Sequence, residues 1–188
     1  MLLDRYFPHH DFREIHAVPT CASSQAVLHA LRKITPADVP LVRTLMGIRS
    51  LPALLFGGAP FRSKRHTPFL DQIIGSGFLL LEETKNEVLL GTIGKFWRPS
   101  GGLCPEILAA EEFRSFAEPG WAKVGWNFVV EGEGDNRRIR TETRICCTDE
   151  SSRTLFGFYW WIVRPGSGMI RKSILRALKQ QAEKEPGR

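Results

Sequence analysis

The side chains best suited to proton handling or to gripping a polar group stand in one short run, Thr141-Glu142-Thr143-Arg144. On a strand, Glu142 and Arg144 project to one side and Thr141 and Thr143 to the other. If the charged side were buried, a carboxylate beside a guanidinium would be tuned for proton transfer. On an outer face the same two residues are an ion pair of little energetic consequence, and that is the reading taken for them. Tyr159 is the other candidate acid or base. The five histidines, His9, His10, His16, His29 and His66, fall on different elements and complete no nucleophile or metal motif. Cys21, Cys104, Cys146 and Cys147 form no CxxC pair and have no histidine at zinc-site spacing. Gly75-Ser76-Gly77 and Gly166-Ser167-Gly168 lack the context of a nucleophile elbow and read as turns. Without a phosphate-binding glycine motif, nucleotide chemistry is not expected, and neither a cofactor nor a metal is called for.

The elements that must position these residues can be read in order. Phe12 to Pro19 alternates, with Phe12, Glu14 and His16 on one face, as a first strand would. Ser23 or Ser24 then caps a helix carrying Ala26, Val27, Ala30, Leu31 and Ile34. A second helix is expected over Leu41, Val42, Leu45 and Met46, capped by Asp38. It dissolves into a loop with the basic cluster Arg62, Lys64, Arg65 and His66, and Phe56 to His66 reads as a lid or a loose connection. Pro68 to Ile74 suits a short helix. Phe78 to Glu83 and Val88 to Trp97 form a hairpin about the polar turn Thr84-Lys85-Asn86-Glu87. Pro105 to Phe113 reads equally as a helical turn or an irregular crossing, and Arg114 to Ala117 as a short strand.

A second hairpin has period two in both arms. Val124, Trp126, Phe128 and Val130 alternate in one, and Ile139, Thr141, Thr143, Ile145 and Cys147 in the other, about a turn at Gly132 to Asn136. Its charged face is expected to be wet, since lone buried charges are costly. The threonine face is then the inner one, less apolar than a dry core would choose. Adjacent Cys146 and Cys147 point to opposite faces, one thiol inward and one outward.

Asp149 to Ser152 caps a C-terminal helix with acids well placed at its N-terminus. Leu155, Phe156, Phe158, Tyr159, Trp160, Trp161, Ile162 and Val163 are too densely apolar to be left in water, so something must cover them. A strand is the rival reading of this run, on its aromatic content and Gly157. After Arg164 to Gly168 comes a second segment, Met169 to Glu183. There Ile170, Ile174, Ala177 and Leu178 share one face and Lys172, Arg176 and Lys179 the other.

The 188 residues, 43% hydrophobic and 24% charged, fit one globular domain spanning 1–188. Asp4, Arg5 and His9-His10 interrupt any apolar core at the start. Pro40 to Pro60 is broken by charges, prolines and glycines, so a cytoplasmic protein is expected. The net charge of +6 would favour acidic partners. No recognition helix or aromatic-sheet motif accompanies the basic clusters, so nucleic acid is not expected, although transient contact with an anionic membrane surface is compatible with them.

The order strand, helices, antiparallel meander, long C-terminal helix resembles the START-like, helix-grip (SRPBCC) superfamily, which includes polyketide cyclases and lipid-transfer proteins. The resemblance is carried by Ile139 followed by Thr141-Glu142-Thr143-Arg144, then Thr148-Asp149, Phe158-Tyr159-Trp160 and Gly166-Ser167-Gly168-Met169-Ile170-Arg171. It is firmest from about Trp126 to Glu183 and points to an uncharacterised bacterial subgroup. It implies an α+β fold in which a curved antiparallel sheet wraps around the C-terminal helix, with smaller helices after the first strand. It also implies a cavity between them for a small hydrophobic or lipid-like ligand. Trp97, Trp126, Phe128, Thr141, Thr143, Tyr159 and Trp160 would line it, with Leu155 to Val163 facing Trp126, Phe128, Thr141 and Thr143. Each large aromatic has a plain alternative role as core filling. The threonines and the Tyr159 hydroxyl would be the placed polar groups. The resemblance carries no catalytic signature, so binding or transfer of the ligand is the first reading. A cyclase, aromatase or hydrolase-like activity in the same cavity is the second, and a titratable group facing the cavity would favour it.

Overall fold

A computed structural model of the protein describes residues 1–39, 67–98, 102–104 and 109–184. Its helices are α1 (Leu2–Tyr6), α2 (Ser24–Lys33), α3 (Phe69–Gly75), α4 (Ala110–Ser115) and α5 (Glu150–Lys184). Its strands are β1 (Phe12–Pro19), β2 (Leu79–Glu83), β3 (Glu87–Gly94), β4 (Ala122–Glu131) and β5 (Arg138–Cys147). The strands form one curved antiparallel sheet in the order β1-β5-β4-β3-β2, gripping α5 on its inner face, as the resemblance implied. The expected helix over Leu41 to Met46 and the Phe56 to His66 loop lie outside the described residues.

Local chemistry explains why the elements begin where they do. The Ser23 hydroxyl accepts the Ala26 N–H at 3.1 Å and caps α2, which then buries Val27, Leu28, Ala30 and Leu31. Asp149 accepts the Ser152 N–H at 2.8 Å and caps α5. Glu112 reaches back to the Ala109 N–H at 3.0 Å and starts α4, which buries Phe113. The last turn of α4 therefore takes up residues read from the sequence as a strand at Arg114 to Ala117; the buried Phe113 anchors helix there instead.

The inner layer holds the main core. Val88 and Leu90 from β3, Trp126, Phe128 and Val130 from β4 and Ile139 from β5 pack against Ile174, Leu175, Ala177 and Leu178 of α5, with α2 and α3 closing one side. The second half of α5, and not Leu155 to Val163, thus lies over Trp126 and Phe128. The first half packs a separate cluster in which Phe156 meets Ile145, Phe12, Trp97, Tyr159 and Trp160. α5 is one helix of 35 residues, neither broken at Arg164 to Gly168 nor replaced by a strand. Pro165 removes one N–H, but it and Trp161, whose carbonyl would have accepted that bond, are both on the exposed side. Packed turns on either side carry the helix across.

The outer face of the sheet is not wet, contrary to the reading of the charged side of β5. α1 and α4 cover it through Leu2, Leu3, Phe7, Leu89, Ile93 and Phe113. Gly125 makes this possible, because a methyl group there would overlap the Phe7 ring. Beneath this layer Glu142 has 0% of its surface exposed. It is not alone: Arg13 Nε donates to Oε1 at 2.6 Å and Nη2 to Oε2 at 3.2 Å, Arg144 Nε donates to Oε1 at 2.6 Å, and Arg140 also pairs with it. Arg144 then reaches α1, donating to the Phe7 carbonyl at 3.1 Å and pairing with Asp4 at 2.8 Å. Asn127 accepts the Glu142 N–H at 2.8 Å and donates to Glu87 at 2.7 Å, and Glu87 accepts the Leu2 N–H at 2.9 Å. The ion pair is thus the centre of a buried network.

Burial pushes the Glu142 carboxyl upward, but the hydrogen bonds from Arg13 and Arg144 outweigh it and hold the group below its ordinary 4.5. A carboxylate depressed on folding contributes stability that is complete above its unfolded value and is lost as pH falls through its folded value. Denaturant midpoints of wild type should therefore drop as pH falls below 4.5. Glu142→Gln, which leaves three guanidiniums around a neutral amide, should cost about 3–5 kcal/mol near neutral pH and flatten that acid dependence. An unchanged midpoint in the variant would mean that the network contributes nothing.

Candidate functional site

The pleat of β1 sets Phe12, Glu14 and His16 on the inner face. Strand register extends each into a row across the sheet. Glu14 stands beside Thr143, which pairs with Trp126 and then Leu90; His16 stands beside Thr141, which pairs with Phe128 and then Val88. Both rows run from polar at the β1 edge to apolar at the sheet centre. The next row, Phe12, Ile145 and Val124, belongs to the Phe156 cluster.

α5 crosses these rows at Gly168 and Arg171. A Cβ at Gly168 would lie 2.9 Å from Glu14 Oε1 and 3.4 Å from His16 Nε2, so glycine lets the helix come down onto this pair. His16 Nε2 and Glu14 Oε1 are 2.8 Å apart. The Arg171 guanidinium lies 4.7 Å from the Trp126 ring centroid, its Nε is 3.8 Å from Glu14 Oε2, and that Nε donates to the Ser167 hydroxyl at 3.2 Å. Burial lowers Arg171 to about 10, against the pull of Glu14, so it is still a cation at neutral pH.

Trp126 is held by one hydrogen bond and several ring contacts. Its Nε1 donates to the Thr141 hydroxyl at 2.7 Å, which itself donates to the Asn127 carbonyl at 2.7 Å. Phe69, Phe78 and Phe128 meet its ring. Thr141 is thereby satisfied. Three buried atoms beside it are not: Glu14 Oε2, Thr143 Oγ1 and Arg171 Nη1 have no hydrogen-bond partner among the described residues. They are an acceptor, a hydroxyl and a donor on neighbouring residues, and a buried polar group without a hydrogen bond ordinarily costs about 1–3 kcal/mol. His16 keeps 16% of its side chain exposed at the open edge of β1, so the cluster borders solvent.

The structure brings Trp126, Phe128, Thr141 and Thr143 together, as expected from their alternation. Trp97, Tyr159 and Trp160 gather instead around Phe156, at centroid distances of 6.5, 5.6 and 5.9 Å, in the adjoining cluster. Glu142 and Arg144 lie on the opposite face of the sheet and cannot share a site with the threonines. Cys146 and Cys147 do point to opposite faces, both half-buried; burial, with Asp11 adding to it, pushes the Cys147 thiol up to about 12. Sequence reasoning missed Glu14, His16 and Arg171. Their signals were present: Glu14 and His16 alternate with Phe12, and Arg171 precedes the buried Leu175 and Leu178 by four and seven residues. Among the described residues no group of histidine, cysteine or acidic side chains is placed to hold a metal.

No protein-family model, curated protein or solved structure matches the chain.

Two glycines two residues apart, on different sides of α5, give a test of the close approach. Nothing lies within 4 Å of a Cβ at Gly166. Gly166→Ala should therefore raise the unfolding free energy by about 0.5–1 kcal/mol through helix propensity. Gly168→Ala should lower it, because the methyl displaces the Glu14 carboxylate from His16. Equal stabilisation by both substitutions would refute the tight seat described for Gly168.

Proposed function

We propose that the protein is a START-like (SRPBCC) helix-grip protein that binds, and sequesters or transfers, a small, mainly apolar molecule bearing a hydroxyl or carbonyl group. The polar group of the ligand is held by Glu14, Thr143 and Arg171, and its apolar body lies against Trp126. The observation that carries this reading is that three buried polar atoms lack a hydrogen bond on residues that strand register and α5 set side by side. A ligand hydroxyl can donate to Glu14 and accept from Arg171, and a carbonyl can accept from Arg171 and Thr143. The polar-to-apolar gradient of the two rows suits a molecule with one polar end. Burial of its apolar surface at roughly 25 cal/mol per Å² would supply most of the affinity before association costs.

A second reading, a proton-transfer catalyst such as a cyclase or aromatase in the same place, is favoured by the Glu14–His16 contact. A carboxylate that orients an imidazole is an arrangement suited to general acid–base chemistry. Recovery of the bound compound unchanged after incubation supports carriage. Conversion that His16→Gln abolishes while binding persists supports catalysis.

Thermal-shift and calorimetric titration with fatty acids, sterols and polyketide-like aromatics tests the binding reading. Thr143→Val and Arg171→Met should each weaken the best compound by about tenfold, the worth of one good buried hydrogen bond. Arg138→Ala, on the far face, should leave affinity unchanged. Equal effects of all three substitutions would contradict the placement of the ligand.

A further inference from the structure

The outward face of α5 carries what a water-exposed helix ordinarily hides. Trp161 is 81% exposed, Phe158 and Ile162 70% each, and Leu155 and Met169 about half. Leu155, Phe158, Trp161 and Ile162 belong to the run whose density in the sequence demanded a cover, yet the described residues leave them largely exposed. At helical spacing Leu155, Phe158, Trp161, Ile162, Pro165, Met169, Lys172 and Arg176 lie on one continuous face, apolar over its first turns and cationic over its last. A shallow groove beside it is lined by Phe12, Gly157, Phe158 and Trp161 and by the polar Glu150, Arg153 and Thr154.

The charges are as one-sided as the apolar residues. From Ser151 to Ala182 the sequence holds six cations, Arg153, Arg164, Arg171, Lys172, Arg176 and Lys179, and no aspartate or glutamate. Arg171 is turned inward. Arg153 pairs with Asp11, just before β1, and with Glu150, and Lys179 pairs with Glu183; Glu150 and Glu183 flank the stretch. Arg164, Lys172 and Arg176 make no ion pair with any described residue.

We propose that this face docks on an anionic lipid surface, with Leu155, Phe158, Trp161 and Ile162 in the boundary between headgroups and acyl chains and Lys172 and Arg176 against the headgroup phosphates. Aromatic side chains favour that boundary, and cations on the same helix face add electrostatic attraction that falls with salt. Charge complementarity selects a lipid surface over a second copy of this chain. A two-fold pairing through the face would bring two acid-free, cationic stretches together. α5 is not apolar enough to cross a bilayer, so it docks in the plane of the surface. This inference does not depend on the ligand proposed for the inner face.

The test is co-sedimentation of the full-length protein with vesicles of equimolar phosphatidylglycerol and phosphatidylcholine, beside vesicles of phosphatidylcholine alone. Wild type should pellet with the anionic vesicles, less so at high salt, and lipids brominated on their acyl chains should quench part of its tryptophan fluorescence. Phe158→Ser with Trp161→Ser, and Lys172→Glu with Arg176→Glu, should each reduce partitioning at least about tenfold. All four side chains are exposed, so circular dichroism should be unchanged. Wild type remaining in the supernatant would overturn the proposal. So would apolar-face variants that pellet like wild type, or a dimer that those variants dissolve in the absence of vesicle binding.

Discussion

A carboxylate with no access to water has to be neutralised where it stands, and for Glu142 three arginines do so on the outer face of β5. The rest of the architecture depends on this constraint. Arg144 satisfies its remaining donors on α1, α1 seats Phe7 against Gly125, and with α4 it seals the outer face. The sheet is therefore the middle layer of three, and every polar side chain on either face must find a partner within the protein. Replacing such a network by apolar residues can be neutral or stabilising, so its value lies in fixing strand register and the position of α1 as much as in net energy.

The inner face obeys the same rule up to one place. Thr141 is fully used in orienting Trp126, whereas Glu14, Thr143 and Arg171 each keep one buried atom without a hydrogen bond among the described residues. The same chain hydrogen-bonds a carboxylate to its arginines on one side of β5, whereas on the other Arg171 Nε comes only to 3.8 Å from Glu14. The proposed ligand site rests on that asymmetry. α5 joins the two ends of the account: its inward stripe closes the polar cluster, and its outward stripe faces solvent with tryptophan, phenylalanine and isoleucine.

Much of the architecture was legible because it follows from periodicity. The alternation of Val124 to Val130 and of Ile139 to Cys147 gave the hairpin and its inner face, and Ser23 or Ser24 gave the start of α2, where the structure selects Ser23. Alternation identifies two faces, but it does not distinguish a charged face met by water from one met by arginines and a covering helix. Five-residue α1 has too little periodic signal to announce that cover. Pro165 and two glycines argued locally for a break that packing on both sides of α5 overrode. The polar cluster was illegible for a related reason: Glu14, His16 and Arg171 are far apart in sequence, and only strand register and the approach of Gly168 bring them together.

Native mass spectrometry of freshly purified wild type beside Arg171→Met, followed by organic extraction, tests the central claim most directly. A stoichiometric adduct of an apolar compound with a hydroxyl or carbonyl group, present on wild type and absent from the variant, is the predicted result. A wild type without any adduct and without thermal response to fatty acids, sterols or polyketide-like aromatics would contradict it. An adduct held equally by both proteins would also contradict it, since Arg171 would then take no part in holding the ligand.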